Sequence, residues 1–154
     1  SVLLDAAPPK GDAARRSPHF SLRTYPYVLY DLVLYIPRML MNVNGRGVAA
    51  ARAVYPDIAL TDTLLVHDEL QRAFGKVSFK QGGSAAGHNG VKSVQHHLGN
   101  DVPRIRIGID RPLDGNVSAY VLGSMPPDWL ETCAHGEVLE RLWSTLQTWC
   151  LSRT

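Results

Sequence analysis

Apolar positions change period along this chain, and the changes mark its elements. From Tyr27 to Ile36 the run Tyr-Val-Leu-Tyr-Asp-Leu-Val-Leu-Tyr-Ile is aromatic and branched and stops at Pro37, the pattern of a largely buried strand. Thr63 to His67 is a shorter apolar run of the parallel-strand kind, and it closes on the polar triplet His67-Asp68-Glu69. Lys76-Val77-Ser78-Phe79-Lys80 alternates and predicts a strand with one wet face. Arg104-Ile105-Arg106-Ile107-Gly108-Ile109 alternates more cleanly, which puts both arginines on one side. Helical spacing governs the rest. Val91, Val94 and Leu98 form one apolar stripe and leave Asn89, Lys92 and His96 on a second, polar face. The alanine-rich stretch Val48 to Val54 favours helix, with Asn42 or Asn44 as its N-cap. After Pro126-Pro127-Asp128, the residues Leu139, Leu142, Trp143, Leu146 and Trp149 predict an amphipathic helix over 128–150, interrupted near Gly136. Tryptophans at helical period are core residues far more often than base-stacking platforms.

Strands alternating with helices predict an α/β layered domain with a mostly parallel or mixed sheet, whose functional groups gather at strand carboxyl ends. Residues 1–26, with Ala6-Ala7-Pro8-Pro9 and Arg15-Arg16-Ser17-Pro18, show no period and read as a poorly structured segment, which leaves 27–154 as one domain. A chain of 154 residues with 45% hydrophobic content suits a single core. The net charge of +2 permits contact with a nucleic-acid backbone without demanding it. Cys133 and Cys150 both fall in the terminal helical pattern and read as reduced, half-buried thiols. No apolar run reaches the roughly 18 residues of a membrane span. Asn116-Val117-Ser118 fits a glycosylation acceptor but reads as a polar turn.

The chemistry concentrates between His67 and Gly90, where a strand end and the glycine-rich stretch Lys80-Gln81-Gly82-Gly83-Ser84-Ala85-Ala86-Gly87-His88-Asn89-Gly90 lie close in sequence. Gly87 is followed by His88-Asn89 where a P-loop requires Lys and then Ser or Thr, so this is not a nucleotide cradle of that type. A tight strand-to-helix turn explains the glycines equally well, and a cap at Asn89 is the plainest use of that residue. A metal held by His67, Asp68 and His88 has no supporting ligand spacing, and Ser84 lacks a hydrolase elbow.

Pro37-Arg38-Met39-Leu40-Met41-Asn42-Val43-Asn44-Gly45, Val66-His67-Asp68-Glu69-Leu70, Gly75-Lys76, Lys80-Gln81-Gly82-Gly83, Gly87-His88-Asn89-Gly90 and Arg104 to Pro112 occur in the order and spacing of successive blocks of one family. With Val117 to Gly123 they resemble peptidyl-tRNA hydrolases of the bacterial type also found in organelles, over roughly residues 32–150, and look closer to animal members. The resemblance implies a three-layer α/β/α sandwich around a mixed sheet. It implies hydrolysis of the ester between a peptide and the 3′ end of tRNA, without metal, cofactor or membrane, by a monomer in mitochondria or cytoplasm. Carried over residue by residue, Asn42 would position peptide or water, Asp68 would orient the catalytic histidine, and Asn89 would stabilise the water or the developing oxyanion. Lys80 and Arg106 would clamp tRNA phosphate, with Met41, His88 and Lys92 also contacting substrate. An ester under attack by water needs a base, a partner that fixes the base's tautomer, and amide donors at the oxyanion.

The family's first strand and the histidine block after it find no match before Pro37. His19 is the only upstream histidine and its neighbours Ser17-Pro18-His19-Phe20 differ, while His67 corresponds to a noncatalytic neighbour in the motif. The first strand is therefore expected to be absent or replaced, with sheet edge and apolar surface left open. The alternative expectation is a family member that binds tRNA, other RNA or a partner without turnover.

Overall fold

The computed structural model describes residues 19–24, 28–113 and 115–153. His19–Thr24 (β1) and Val28–Val33 (β2) pair antiparallel as a two-stranded sheet of their own, so part of the segment expected to be poorly structured is a strand. The apolar run expected to continue to Ile36 leaves the hairpin at Val33. Leu34, Tyr35 and Ile36 are exposed, Ile36 at 84%. Among the described residues β1 is the only strand partner of β2, so the run has no second sheet neighbour to bury it on both sides.

The main sheet is mixed. Leu65–Glu69 (β3) runs parallel to Arg104–Gly108 (β5), and Val77–Lys80 (β4) runs antiparallel to β5, in the order β3-β5-β4. The triplet expected at the carboxyl end of the run forms the last three residues of β3, where the ladder pairs His67 with Arg106, Asp68 with Ile107 and Glu69 with Gly108. The outer edge of β3 has no strand partner among the described residues, and Val66 on it is exposed.

Two consecutive leucines show how helices cover both sides. Leu65 packs against Val94, Leu98 and Val102, on the side of Asn44–Val54 (α1) and Asn89–Leu98 (α2). Leu64 packs against Trp149 and Cys150 of Glu137–Leu151 (α5), together with Leu32 of the hairpin, Trp143 and Leu146. Neighbouring residues of an extended chain point to opposite faces, so the sheet lies between the two groups of helices. The tryptophans of α5 are core, and neither Cys133 nor Cys150 forms a disulfide; Cys150 is buried, and burial raises its thiol pKa.

Val117–Leu122 (α3) is capped by the Asn116 side chain, which accepts from the Ala119 N–H at 3.2 Å, so the Asn-Val-Ser motif serves a helix start and not a simple turn. Pro127–His135 (α4) and α5 divide at Gly136, where the sequence predicts the interruption. Phe74 stacks on Trp129 of α4 at 3.8 Å between ring centroids. No described helix is long and apolar enough to cross a membrane.

Candidate active site

The start of α2 is organised by His88. Its Nδ1 accepts the backbone N–H of Gly90 at 3.1 Å and of Val91 at 3.2 Å, so the imidazole satisfies two of the amides that every helix start leaves without a partner. The cap expected at Asn89 thus falls one residue earlier, and Asn89 is the first residue of the helix, exposed and free of capping duty. A nitrogen that accepts cannot carry the ring's proton, which places it on Nε2. That N–H donates to Asp68 Oδ1 at 3.0 Å. The hydrogen bond from His88 holds the Asp68 carboxyl below its ordinary value, against the opposing pull of burial. Asp68 Oδ2 has no hydrogen bond to another described residue and remains available to a further donor.

His67 touches the same pair from the other side, its ring edge-on to His88 with centroids 4.9 Å apart. Nδ1 of His67 donates to the Asp68 carbonyl at 2.6 Å, while Nε2 is buried without a partner. Burial lowers its pKa to about 4, so the ring is neutral near pH 7. In register with His67 across the sheet are Arg106 and then Ser78, and each of the three carries a buried polar atom with no partner: His67 Nε2, Arg106 Nε and Ser78 Oγ. One acceptor, one donor and one hydroxyl in a cross-strand row match the needs of a bridging water.

Met41 and Asn42 lie in a short 3-10 turn leading into α1, and neither Asn42 nor Asn44 caps that helix: its N-cap is Val43, with no side-chain hydrogen bond. The reason is that the tight turn carries the chain straight into the helix, with Asn44 already its first residue. A Cβ built on Gly90 would lie 2.8 Å from Met41 Cγ, 3.0 Å from His88 Cε1 and 3.3 Å from Asn44 Nδ2, so a larger residue here must displace the Met41 side chain and crowd the His88 ring. Asn44, expected as a possible cap, instead has its Oδ1 buried at this junction without a partner among the described residues.

The glycine loop before α2 is held by a residue the sequence left without a role. Arg104 is 2% exposed, and its Nη2 donates to the carbonyls of Gly82 at 3.2 Å, Gly83 at 2.9 Å and Ser84 at 2.6 Å. The signal was present in the Arg-Ile-Arg alternation, which assigns the two arginines one face but cannot say that a loop folds over the first. Gly82 has a φ of +58° and no room for a side chain beside Asn100 and Asp101. Lys80 donates to the Ser84 carbonyl at 3.3 Å. Its ammonium pKa is lowered by burial and by the charges of Arg104 and Arg106, and burial and Arg72 lower that of Arg106. Lys80 and Arg106 therefore belong to one electropositive patch on the sheet.

Between α1 and α2 lies an open cavity of about 510 Å³, lined by Asn42, Val43, Arg46, Asn89, Lys92, Ser93, His96 and His97. The structure thus brings Asn42, Asn89 and Lys92 to one cavity, Asp68, His88 and Met41 to the adjoining helix start, and Lys80 and Arg106 to the sheet patch. Among the described residues no cluster of His, Cys, Asp or Glu is arranged to hold a metal.

A mixed sheet between two groups of helices, with a carboxylate–imidazole pair joining a strand to a helix start, defines an α/β/α sandwich protein. Residues 14–153 match the peptidyl-tRNA hydrolase family, and the chain belongs to it. It is 36% identical to a peptidyl-tRNA hydrolase of Campylobacter curvus over 139 residues, 90% of this chain and 72% of that one. It is 46% identical to the Pelobacter propionicus peptidyl-tRNA hydrolase over 100 residues, 64% of this chain and 51% of that protein. A probable peptidyl-tRNA hydrolase of Mus musculus is 48% identical over 100 residues, 64% of this chain and 48% of the mouse protein. The chain therefore spans about half the length of the latter two relatives. The crystal structure of Acinetobacter baumannii peptidyl-tRNA hydrolase superposes with a TM-score of 0.60 at 34% identity, covering 73% of this chain and 57% of that one.

Proposed function

We propose that this chain hydrolyses the ester joining a peptide to the 3′ end of tRNA. The observation that carries the reading is the convergence of Asn42 and Asn89 on one cavity, next to a helix start at which Asp68 is bound to His88. The primary amides can donate to the carbonyl oxygen as charge develops on it, or hold the attacking water. Asp68 supplies fixed negative charge. His88 occupies Oδ1, and Oδ2 is left to orient a water. His88 itself has both nitrogens engaged, so its role is to fix Asp68 and the start of α2.

The patch of Lys80 and Arg106 gives the substrate's phosphates a landing site that reads charge and not sequence. Met41, beside Gly90, offers an apolar contact to the peptide. The same reading makes the chain an RNA-binding monomer that acts in mitochondria or cytoplasm, independent of metal. Release of N-blocked aminoacyl groups from tRNA, measured with Asn42→Ala, Asp68→Ala and Asn89→Ala beside the unaltered chain, tests it. Turnover that falls at least tenfold in each variant supports the assignment. Salt-sensitive tRNA binding with no turnover by the unaltered chain would replace it with an RNA-binding role.

A further inference from the structure

We infer that Asn89–Gly90 is a site of spontaneous covalent modification, at which the asparagine amide is lost and a carboxylate takes its place, and that the His88 ring sets the rate by holding the Gly90 N–H. The chemistry is independent of the peptidyl-tRNA reading. Only its consequence for turnover rests on that reading.

Two of the five asparagines in the chain precede glycine, Asn44 and Asn89. With no side chain on the following residue, the backbone nitrogen of an Asn-Gly step reaches the asparagine side chain more easily than at other steps. The Gly90 nitrogen gives up its proton to solvent base and bonds to Asn89 Cγ. The Cγ–Nδ2 bond breaks, Nδ2 leaves as ammonia with a proton drawn from water, and a cyclic imide remains. Water then opens the imide. Addition at Cγ yields aspartate, and addition at the backbone carbonyl carbon yields isoaspartate, in which the chain runs through Cγ. Water is the only co-reactant.

The folded structure decides which of the two steps reacts. At Asn44–Gly45 the Gly45 N–H donates to Ser93 Oγ at 2.9 Å, and a Cβ on Gly45 would lie 2.0 Å from the Ser93 backbone carbonyl oxygen, so this step is freed only when α1 and α2 part. Asn44 is itself half-buried. Asn89, by contrast, is exposed and borders the open cavity, where water has access. The atoms nearest a Cβ on Gly90 belong to side chains, Met41 Cγ and His88 Cε1 among them, and these turn aside without moving a helix.

One imidazole holds the Asn89–Gly90 step closed. His88 Nδ1 accepts the Gly90 N–H at 3.1 Å and the Val91 N–H at 3.2 Å, which keeps the nucleophilic nitrogen protonated and its N–H committed to the ring. The ring is held in turn through Nε2, 3.0 Å from Asp68 Oδ1. The loop leading into α2 works against this hold. Ala86 has a φ of +49°, a left-handed conformation that alanine disfavours, and Gly87 follows at +90°. Local opening of the first turn of α2 relieves Ala86 and releases the Gly90 N–H together.

The consequence falls on the proposed site. The Asn89 amide is the donor assigned to the developing oxyanion, and a carboxylate in its place repels the charge that the amide would stabilise. The helix survives conversion to aspartate, since negative charge is favoured in a first turn. The product is a folded chain without turnover.

The test incubates the full 154-residue chain in mildly alkaline buffer and follows both Asn-Gly peptides by digestion and mass spectrometry, with a urea-denatured sample to give the rate of the open chain. In the folded chain the peptide holding residue 89 should gain the mass difference between an amide and an acid and split into two isomers, well before the peptide holding residue 44 changes. Asn89→Gln, which would have to close a larger ring, should abolish the gain. His88→Ala should speed conversion at residue 89 roughly five- to thirtyfold through the lost cap, and His88→Ser, which restores a cap acceptor, should return most of the protection. Asp68→Asn, which keeps the ring but loosens its hold, should speed conversion by a smaller factor and serves where circular dichroism shows His88→Ala unfolded. Equal rates at residues 44 and 89 would overturn the inference, as would residue 89 still intact in the folded chain long after the denatured sample has converted. Conversion no faster in folded His88→Ala or Asp68→Asn than in the parent would overturn it too. Turnover of peptidyl-tRNA is read in the same samples. An active parent should lose turnover in step with conversion at residue 89, and Asn89→Asp, made directly, should fold and be inactive. Turnover that stays level as residue 89 converts would overturn the silencing. Conversion at residue 89 in a chain without turnover from the start keeps the modification site and removes the hydrolase assignment.

Discussion

Asp68 Oδ1 lies 3.0 Å from His88 Nε2, and the opposite nitrogen of the same ring caps α2, so a single imidazole ties the end of β3 to the start of the helix that bears Asn89. Removing either partner strands the other. His88→Ala should cost about 1 kcal/mol for the cap and a further 1.5–3 kcal/mol for the charge-assisted bond. Asp68→Ala should lose the second contribution alone. A double-mutant cycle followed by urea denaturation should give a coupling of about 1–3 kcal/mol between them. Additive losses would show that the pair contributes no mutual stabilisation.

The neighbouring His67 makes stability depend on pH. Its folded pKa of about 4 lies below the ordinary 6.5, so between these values the unfolded chain binds the proton that the folded chain excludes. Stability is therefore complete above about pH 6.5 and is lost as the pH falls toward 4, by on the order of 2 kcal/mol after allowance for solvent screening. Asp68, whose pKa is also depressed, adds a second loss that begins as the pH falls through the ordinary carboxylate range and continues below it. Urea midpoints measured from pH 7 to pH 4.5 should fall for the unaltered chain and stay nearly level for His67→Gln. An unchanged slope in the variant would assign the acid sensitivity to another group.

Arg104 should prove harder to replace than its charge suggests. One guanidinium nitrogen at the end of a long stem serves three carbonyls of the glycine loop, and lysine, shorter and more strongly hydrated, would have to bury its ammonium short of that position. Arg104→Lys should lower stability by about 2–3 kcal/mol, since it leaves carbonyls and a buried charge without good partners. Hydrogen exchange should quicken at Gly83, whose N–H now donates to the Asn100 carbonyl at 2.8 Å, well before it quickens in α5. Protection at Gly83 equal to that of the unaltered chain would mean that the loop is held without the arginine.

Period was legible wherever one face of an element is buried and the other wet. Val91, Val94 and Leu98 came out as one stripe, and the break at Gly136 fell where spacing placed it, because both features are local. The hairpin partner of β2 was missed although His19-Phe20-Ser21-Leu22-Arg23 alternates polar and apolar, because the run is short, follows a stretch of loop composition, and depends for its pairing on a neighbour. In the site, the residue types were readable and their connections were not. Asn89 has a better intrinsic capping record than histidine, yet a carboxylate on β3, twenty residues away in sequence, orients the His88 ring so that it caps first. Arg104 shows the same limit, for alternation fixes the face of a side chain and says nothing of the loop that covers it.

Gly45 sets two principles against each other, and the contact distance decides between them. It stands in the first turn of α1, where alanine is favoured over glycine by up to about 1 kcal/mol on helix propensity. Against this, the added methyl would lie 2.0 Å from the Ser93 carbonyl oxygen and 2.8 Å from His97 Cδ2, and the nearer of these is backbone that cannot turn aside. The helices must separate to admit it, which disturbs the packing of Val48 on Val94 and the hydrogen bond from Gly45 N to Ser93 Oγ. Gly45→Ala should therefore destabilise the chain by about 2–3 kcal/mol net. Ser93→Ala, which removes only the hydroxyl acceptor, should cost about 1 kcal/mol. Thermal unfolding of the two variants separates the effects. A Gly45→Ala chain as stable as its parent would show that α1 and α2 do not meet at this point, and the cavity lined by Arg46 and Lys92 would lose its fixed width.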